Sequence, residues 1–161
     1  MTLLRKELKA CTLFVFEEGV SLVTHCPVCG SDPDLAALES TSEPSEFLLS
    51  KRGEIWHHCP VCTHRWRFMR LACPGCNNQD HETLNRFSVP GSPREYIYAC
   101  DACRQYLPCL DLVERADAID FDQAALQSVH LDAAAQARGY TPISPALWTA
   151  LGFAEDTAMA S

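Results

Sequence analysis

Four Cys-x-x-Cys pairs carry eight of the ten cysteines in this 161-residue chain. A tight turn between two cysteines aims both sulfurs at one ion, and two such turns complete a four-thiolate site for zinc or rubredoxin-type iron. One pair alone is a weak signal, because redox dithiols share the spacing. Four pairs predict two metal ions, iron or zinc, each in a four-cysteine site. The predicted ligands are Cys26, Cys29, Cys59, Cys62, Cys73, Cys76, Cys100 and Cys103.

The segments between the pairs indicate which of them share an ion. Residues 63–72 contain no Gly, Pro, Asn or Asp, so they are predicted to form one continuous strand that carries the chain about 30 Å away. The pairs on either side of that strand are not expected to meet. Residues 30–58 and 77–99 each contain two strand-like runs around a break, which is typical of hairpins. The sequence therefore favours sequential sets, the first two pairs together and the last two together, and leaves interleaved pairing open.

The residue after each second cysteine bears on the shape of the turns. Such a turn favours a residue that tolerates positive φ, which Gly30 and Asn77 do. Thr63 and Arg104 stand at the same place in the other two pairs. We expect those two turns either to carry mild strain or to have a different geometry.

Composition limits the class of protein. Residues 1–10 lead into no apolar signal run or small-residue cleavage site, so a reducing cytoplasm is the expected location and a disulfide framework is disfavoured. No apolar run approaches the length of a membrane span. The sequence contains no Ser-His-Asp arrangement, P-loop or Gly-rich dinucleotide fingerprint, so we predict no catalytic residues and a protein that is not an enzyme.

The net charge of −8 is distributed unevenly: residues 51–110 carry +3, whereas residues 1–50 carry −5 and residues 111–161 carry −6. Arg65, Arg67 and Arg70 make the centre locally basic, which leaves a nucleic-acid-binding zinc ribbon as one alternative. A four-thiolate site stays negatively charged with either Zn²⁺ or Fe³⁺, and nearby arginines would offset that charge. The sequence therefore argues against nucleic acid as the partner.

The predicted fold class is α+β, with two tandem rubredoxin-like or zinc-ribbon modules followed by a C-terminal helix. The predicted boundaries are a lead-in segment at 1–21, a first module at 22–70, a second module at 71–115, and the helix with an apolar tail at 116–161. Asp120 is the expected cap of a helix that begins at Phe121 and stops at Gly139. Small ribbons bury little apolar surface, so the ions should supply much of the folding free energy.

Other cysteines and the histidines are weaker candidates. His57, His58 and His64 flank the second pair, but four thiolates leave no vacancy at an ion, so we expect these rings to hydrogen-bond nearby thiolates or to face solvent. Cys11 and Cys109 have no partner three residues away, and buried free thiols are expected there.

The order and spacing of all four pairs resemble one family. Residues 58–76 read His-Cys-Pro-Val-Cys-Thr-His-Arg-Trp-Arg-Phe-Met-Arg-Leu-Ala-Cys-Pro-Gly-Cys, after Cys-Pro-Val-Cys-Gly-Ser at 26–31 and before Cys-Asp-Ala-Cys-Arg-Gln-Tyr-Leu at 100–107. Together with the Asp-rich helix and the Gly139-Tyr140 ending, this pattern resembles the formate dehydrogenase accessory protein family FdhE over residues 22–153.

This resemblance implies a function that spacing alone does not. It implies that the eight matching cysteines bind metal in two rubredoxin-like modules, with iron as the family's reported metal. It further implies a cytoplasmic maturation factor, or chaperone, that binds the catalytic subunit of a molybdenum- or tungsten-dependent formate dehydrogenase during assembly. Family members also carry a long helical N-terminal region, whereas 25 residues precede Cys26 here.

The sequence leaves open one more alternative function and the oligomeric state of the chain. A rubredoxin-like electron carrier is the second alternative, because four-thiolate iron can cycle one electron and Zn²⁺ cannot. Self-association of the chain is also left open by the sequence.

Overall fold

The computed structural model describes residues 23–40, 53–114 and 118–146. The whole of the predicted lead-in segment, which includes Cys11, and the end of the apolar tail lie outside these residues. The described elements, in chain order, are β1 (Leu35–Glu39), β2 (Glu54–His58), β3 (Arg65–Phe68), β4 (Leu84–Ser88), β5 (Glu95–Cys100), β6 (Gln105–Asp111), α1 (Phe121–Gln127), α2 (Val129–Gln136) and β7 (Thr141–Pro142).

One mixed sheet contains all of these strands, in the order β3-β2-β1-β6-β5-β4, with β7 beside β6. Strands β1 to β3 form an antiparallel meander, and strands β4 to β6 form a second one. A parallel ladder between β1 and β6 joins the two meanders. The predicted α+β class is confirmed, while the domain boundaries stay a prediction.

The two faces of the sheet are covered differently. On the face that we call the helix face, Leu35, Ile97 and Leu110 pack against residues of α1 and α2. The opposite face carries a second apolar cluster that includes Ala36, Ile55, Phe68, Tyr96, Leu107 and Cys109. We call it the strap face, because Ala72 of the connecting segment 69–74, the strap, packs against it. Both faces are therefore buried, as a sheet of apolar strands requires.

The start of the C-terminal helix is confirmed. Asp120 accepts a hydrogen bond from the backbone N–H of Gln123 at 3.0 Å and so caps α1, which begins at Phe121. The structure differs in one respect, since the helix is interrupted at Ser128. The Ser128 hydroxyl donates to the carbonyl of Ala125 at 2.7 Å, and such a side-chain bond competes with regular helical pairing.

The prediction of one continuous strand over residues 63–72 is wrong. Only Arg65–Phe68 is a strand, because its ladder with β2 ends where Phe68 pairs with Ile55. The strap then turns inward and buries Ala72, which is 7% exposed. The chain therefore reaches the third cysteine pair through a turn that buries Ala72, and not through an extended strand.

No helix in residues 23–40, 53–114 and 118–146 is both long and apolar enough to cross a bilayer.

Candidate metal centres

The four cysteine pairs lie at equivalent places in the two meanders. The first and third pairs precede β1 and β4, respectively. The second and fourth pairs form the turns of the β2–β3 and β5–β6 hairpins. In each meander, the pair that precedes the first strand therefore meets the pair at the tip of the hairpin. The same local arrangement occurs twice.

All four turns have the same backbone form. In each, the carbonyl of the first cysteine accepts a hydrogen bond from the N–H four residues later, at 2.8 to 3.0 Å. The donors are Gly30, Thr63, Asn77 and Arg104, and φ at these residues is 75°, 58°, 60° and 58°, respectively. Of the two expectations for Thr63 and Arg104, strain rather than a different geometry is therefore correct, because both hold the left-handed conformation that glycine adopts freely.

The side chains of the eight cysteines converge into two sets. Cys26, Cys29, Cys59 and Cys62 form one set, and Cys73, Cys76, Cys100 and Cys103 form the other, with the sulfurs of each set within 4.8 Å of one another. The sequential pairing that the sequence favoured is the arrangement in the structure.

Distances between sulfurs fit a tetrahedral ion. In the first set, Cys26 Sγ lies 3.5 Å from Cys62 Sγ and Cys29 Sγ lies 3.4 Å from Cys59 Sγ. In the second set the corresponding distances are 3.6 Å for Cys73 and Cys103 and 3.9 Å for Cys76 and Cys100. Four sulfurs at about 2.3 Å from a central zinc ion would be roughly 3.8 Å apart. Each set can thus accommodate one four-coordinate ion, and disulfides, with sulfurs about 2.05 Å apart, do not describe it.

The thiols of the two sets have unequal acidities. Burial raises the pKa of Cys62 and of Cys103 to about 11, and it raises the pKa of Cys59 and Cys73 still further. At Cys29, burial acts to raise the pKa, but hydrogen bonds with Ser31 and neighbouring thiols lower it to about 7. Most of these buried thiols would therefore hold their protons at neutral pH unless a cation displaced them, which is the requirement of a thiolate metal site.

Two polar neighbours of the sulfurs were missed by the sequence analysis. Ser31 Oγ lies 3.4 Å from Cys29 Sγ, and Asn78 Nδ2 donates to Cys100 Sγ at 3.8 Å. Ser31 and Asn78 each stand two residues after the second cysteine of a pair. A polar residue at that offset was the signal that could have identified them.

Two of the three histidines beside the second pair, His57 and His58, do not behave as expected. His57 and His58 neither face solvent nor are shown in contact with a thiolate, being 2% and 3% exposed. The His58 Nδ1 atom lies 2.9 Å from an oxygen of Asp34, while the His57 ring stacks on Phe68 with centroids 4.4 Å apart. Pairing of β2 between β1 and β3 causes this burial, since it turns alternate histidines toward opposite faces of the sheet.

Trp66 closes the side of the first set. It is 5% exposed and packs in one cluster with Cys26, Cys59 and Cys62, while its indole N–H donates to the Val23 carbonyl at 3.0 Å. This packing keeps water away from three of the four sulfurs.

Two arginines of β3 are paired with carboxylates. Arg65 forms an ion pair with Glu39, and its guanidinium also lies 4.1 Å from the centre of the Phe121 ring. Arg67 pairs with Glu54 at 2.8 Å. These contacts leave little of the local positive charge for phosphates.

Comparison with known proteins agrees with this picture. No family model matches the chain. A curated protein named "Protein FdhE homolog" from Aquifex aeolicus is 29% identical over 130 residues, which cover 80% of this chain and 42% of that protein. Another of the same name from Pseudomonas aeruginosa is 28% identical over 150 residues, which cover 87% of this chain and 45% of that protein. The chain thus spans less than half the length of these relatives.

A solved structure shows that the likeness extends to the fold. The crystal structure of the FdhE protein from Pseudomonas aeruginosa matches with a TM-score of 0.61 and 26% identity, over 77% of this chain and 40% of that one. In sequence and in fold, this chain is therefore similar to FdhE proteins, over their C-terminal part.

Proposed function

We propose that this chain is the metal-binding part of an accessory factor for a molybdenum- or tungsten-dependent formate dehydrogenase, and that it binds the catalytic subunit of that enzyme during assembly. The observation that carries the proposal is the pair of four-cysteine sets in an FdhE-like fold. Each set would hold one iron or zinc ion through its own four cysteines, in the reducing cytoplasm that the sequence predicts.

The composition of the sets supports a structural role for the ions rather than catalysis. Four protein sulfurs fill a tetrahedral site and leave no position for a substrate or an activated water molecule. Catalytic metal sites keep such a position open. The chain is therefore proposed to act by recognition, with the ions holding the recognition surface in shape.

Binding of nucleic acid is the less favoured function. It was suggested by the arginines of β3, yet Arg65 and Arg67 are engaged by Glu39 and Glu54. Phosphate contacts require basic side chains that are available to the backbone of the nucleic acid. Electron transfer would require iron, so elemental analysis with a visible spectrum tests that alternative directly.

The deciding experiment measures binding to the catalytic subunit. Purified metal-loaded chain is titrated onto immobilised catalytic subunit, beside a Cys59→Ser variant that lacks one ligand and a Leu126→Ser variant that changes an exposed side chain of α1. Saturable binding by the wild type and by Leu126→Ser, with loss in Cys59→Ser, is expected. Failure of folded wild-type protein that carries two ions to bind would refute the proposal.

A further inference from the structure

A cavity of about 440 Å³ opens on the strap face. Side chains from both ends of the sheet line it, including Ile55 and Phe68 from the first meander and Leu84 and Tyr98 from the second. The strap forms another of its walls. Its size is within the range of sites that enclose a small ligand or a large side chain. We call it the strap cavity.

One buried polar atom lies at the wall of this cavity without a partner. His57 lines the strap cavity and is 2% exposed, and its Nδ1 atom has no hydrogen-bond partner among the described residues. A buried polar atom left unpaired costs roughly 1–3 kcal/mol. A ligand that placed a polar group beside this ring would recover part of that free energy. The unpaired atom therefore favours a bound ligand over an empty cavity.

The rim of the cavity is apolar and exposed. Leu71 of the strap is 68% exposed and Met69 is 36% exposed, and both line the cavity. A small molecule seated inside would leave the outer surface of these side chains in water. A polypeptide laid across the rim would cover them while inserting one side chain, which favours a protein segment as the occupant.

The rim is also locally basic in a chain whose net charge is −8. Arg70 and Arg86 line both the strap cavity and an adjoining polar cleft of about 490 Å³ that Arg94 also lines. Asp111 lies 4.0 Å from Arg86 and Glu114 lies 3.5 Å from Arg94. Among the described residues Arg70 has no carboxylate partner and donates instead to the Gly53 carbonyl at 3.3 Å. Three guanidinium groups against two carboxylates complement an acidic residue.

We propose that the strap cavity is the docking site for an extended segment of the formate dehydrogenase catalytic subunit, with a large, mainly apolar side chain that carries one polar atom, such as tryptophan, in the cavity and an adjacent acidic residue over Arg70 and Arg86. This inference rests on the proposed function for the identity of the partner. The apolar floor and rim supply affinity, and the arginines select the segment by charge.

The cavity is also connected to the second cysteine set. Cys73 and Cys100 contribute to its lining, so the wall keeps its shape only while the third and fourth pairs are held together. Docking should therefore weaken when the second set is disrupted.

A fluorescent peptide probe tests the site without the catalytic subunit. The probe carries one tryptophan followed by two aspartates in a Gly-Ser context, and matched peptides replace the tryptophan with serine or the aspartates with lysine. We expect the probe to bind the metal-loaded chain, measured by anisotropy, and each matched peptide to bind about tenfold more weakly, which corresponds to about 1.4 kcal/mol. Equal binding of the three peptides would overturn the inference.

Variants of the protein locate the binding. Leu71→Ser changes an exposed side chain of the rim and Arg70→Glu a half-buried one. Leu126→Ser and Arg138→Glu make the same changes on α1 and after α2, at residues that do not line the cavity. All four should retain two ions and an unchanged circular dichroism spectrum. Only the first two should weaken the probe, again by about tenfold. Equal weakening by the control variants would contradict the assigned site.

Titration of the catalytic subunit separates this inference from the proposed function. If the subunit binds and Leu71→Ser and Arg70→Glu bind it as well as wild type, the docking site is wrong and the proposed function stands. If the probe binds at the cavity but the subunit does not, the proposed function fails, and with it the partner named here. Dimer formation that Leu71→Ser abolishes would assign the cavity to a second copy of the chain and overturn the inference.

Discussion

The backbone of Ala36 pairs with that of Cys109 in a parallel ladder, which joins the meander that carries the first cysteine set to the one that carries the second. Both residues are fully buried. Strand β1 therefore contributes to the geometry of one set and to the attachment of the other. The two ions, although held by separate ligands, are expected to share one cooperative unit of structure.

Loss of one ion should consequently weaken the binding of the other. Replacement of Cys59 by serine removes a ligand of the first set, and we expect the loosened β1–β6 ladder to speed release of the second ion to a chelator. Metal content by elemental analysis and release kinetics with a chromogenic chelator provide the measurement. Cys109→Ala, which removes a thiol outside both sets, should retain two ions. An unchanged release rate for the second ion in Cys59→Ser would show that the meanders are independent.

Substitutions at the left-handed residues of the turns should change the free energy of unfolding in opposite directions. A Cβ added at Gly30 meets no atom within 4 Å, so Gly30→Ala should cost only the backbone penalty of the left-handed conformation, about 1 kcal/mol. Thr63→Gly should relieve the same penalty and raise the free energy of unfolding by a similar amount, less the entropy that glycine adds to the unfolded chain. Urea titrations of metal-loaded protein measure both. Destabilisation by Thr63→Gly would show that the Thr63 side chain contributes more than its strain costs.

Arg104 should not follow the same rule. Its guanidinium stacks over the Tyr140 ring at 4.2 Å and donates to the carbonyl of Arg138 at 2.9 Å. Arg104→Gly relieves the left-handed strain but removes these contacts, so we expect net destabilisation of about 1 kcal/mol. Arg104→Lys keeps the charge and loses the planar stacking. Its free energy of unfolding should lie between those of the wild type and Arg104→Gly. Stabilisation by Arg104→Gly would mean that the stacking contributes little.

A buried hydrogen bond attaches α2 to the sheet. The Tyr106 hydroxyl donates to Asp132 Oδ1 at 2.7 Å, and both residues are buried. Tyr106→Phe removes a donor from a buried carboxyl group and should lower the free energy of unfolding by about 1–3 kcal/mol. Thermal unfolding followed by circular dichroism measures the loss. Tyr98→Phe, which changes a tyrosine on the strap face, serves as the matched control, and equal losses in the two variants would contradict a specific role for the α2 contact.

The Cys109 thiol should make the fold sensitive to alkali. Burial raises its pKa to about 12, whereas a thiol in the unfolded chain ionises near 8.5. Below the unfolded value this contribution to stability is fully present, and as pH rises toward 12 the unfolded state loses a proton that the folded state keeps. The free energy of unfolding should therefore fall with rising pH, by up to about 1.4 kcal/mol per unit from this group.

Urea unfolding at about pH 8 and about pH 10 measures this dependence. Because the tyrosines are common to both proteins, Cys109→Ala should lose about 1–2 kcal/mol less than wild type between the two conditions. Identical losses would indicate that the thiol ionises within the folded protein. The buried thiol itself should react with iodoacetamide only when the protein unfolds.

The cysteine sets were predictable from the sequence because their signal is local. A pair needs only a turn, and the break between the two strand-like runs of residues 77–99 was enough to return the fourth pair to the third. The supporting argument from residues 63–72 was wrong, since a strand extends only as far as its ladder, and the ladder between β2 and β3 ends at the pair of Ile55 and Phe68. The conclusion held because hairpin closure alone determines the pairing.

The features that sequence reasoning missed are those that depend on distant partners. No local pattern in the sequence of β1 predicts that it pairs with β6. The parallel ladder arises only when both faces of the completed sheet are buried. Burial of His57 and His58 follows from the same cause. The strap cavity likewise requires side chains from opposite ends of the sheet, which no local pattern places together.

The ladder between β1 and β6 also has a consequence for biosynthesis. Strand β1 leaves the ribosome about 70 residues before β6, so its hydrogen-bonding edge stays open for on the order of ten seconds at typical translation rates. An open strand edge is a template for aggregation. Metal captured early by the first cysteine set would hold the nascent meander together during that interval. The yield of native protein should therefore depend on how promptly the cell supplies the ion while the chain is still being translated.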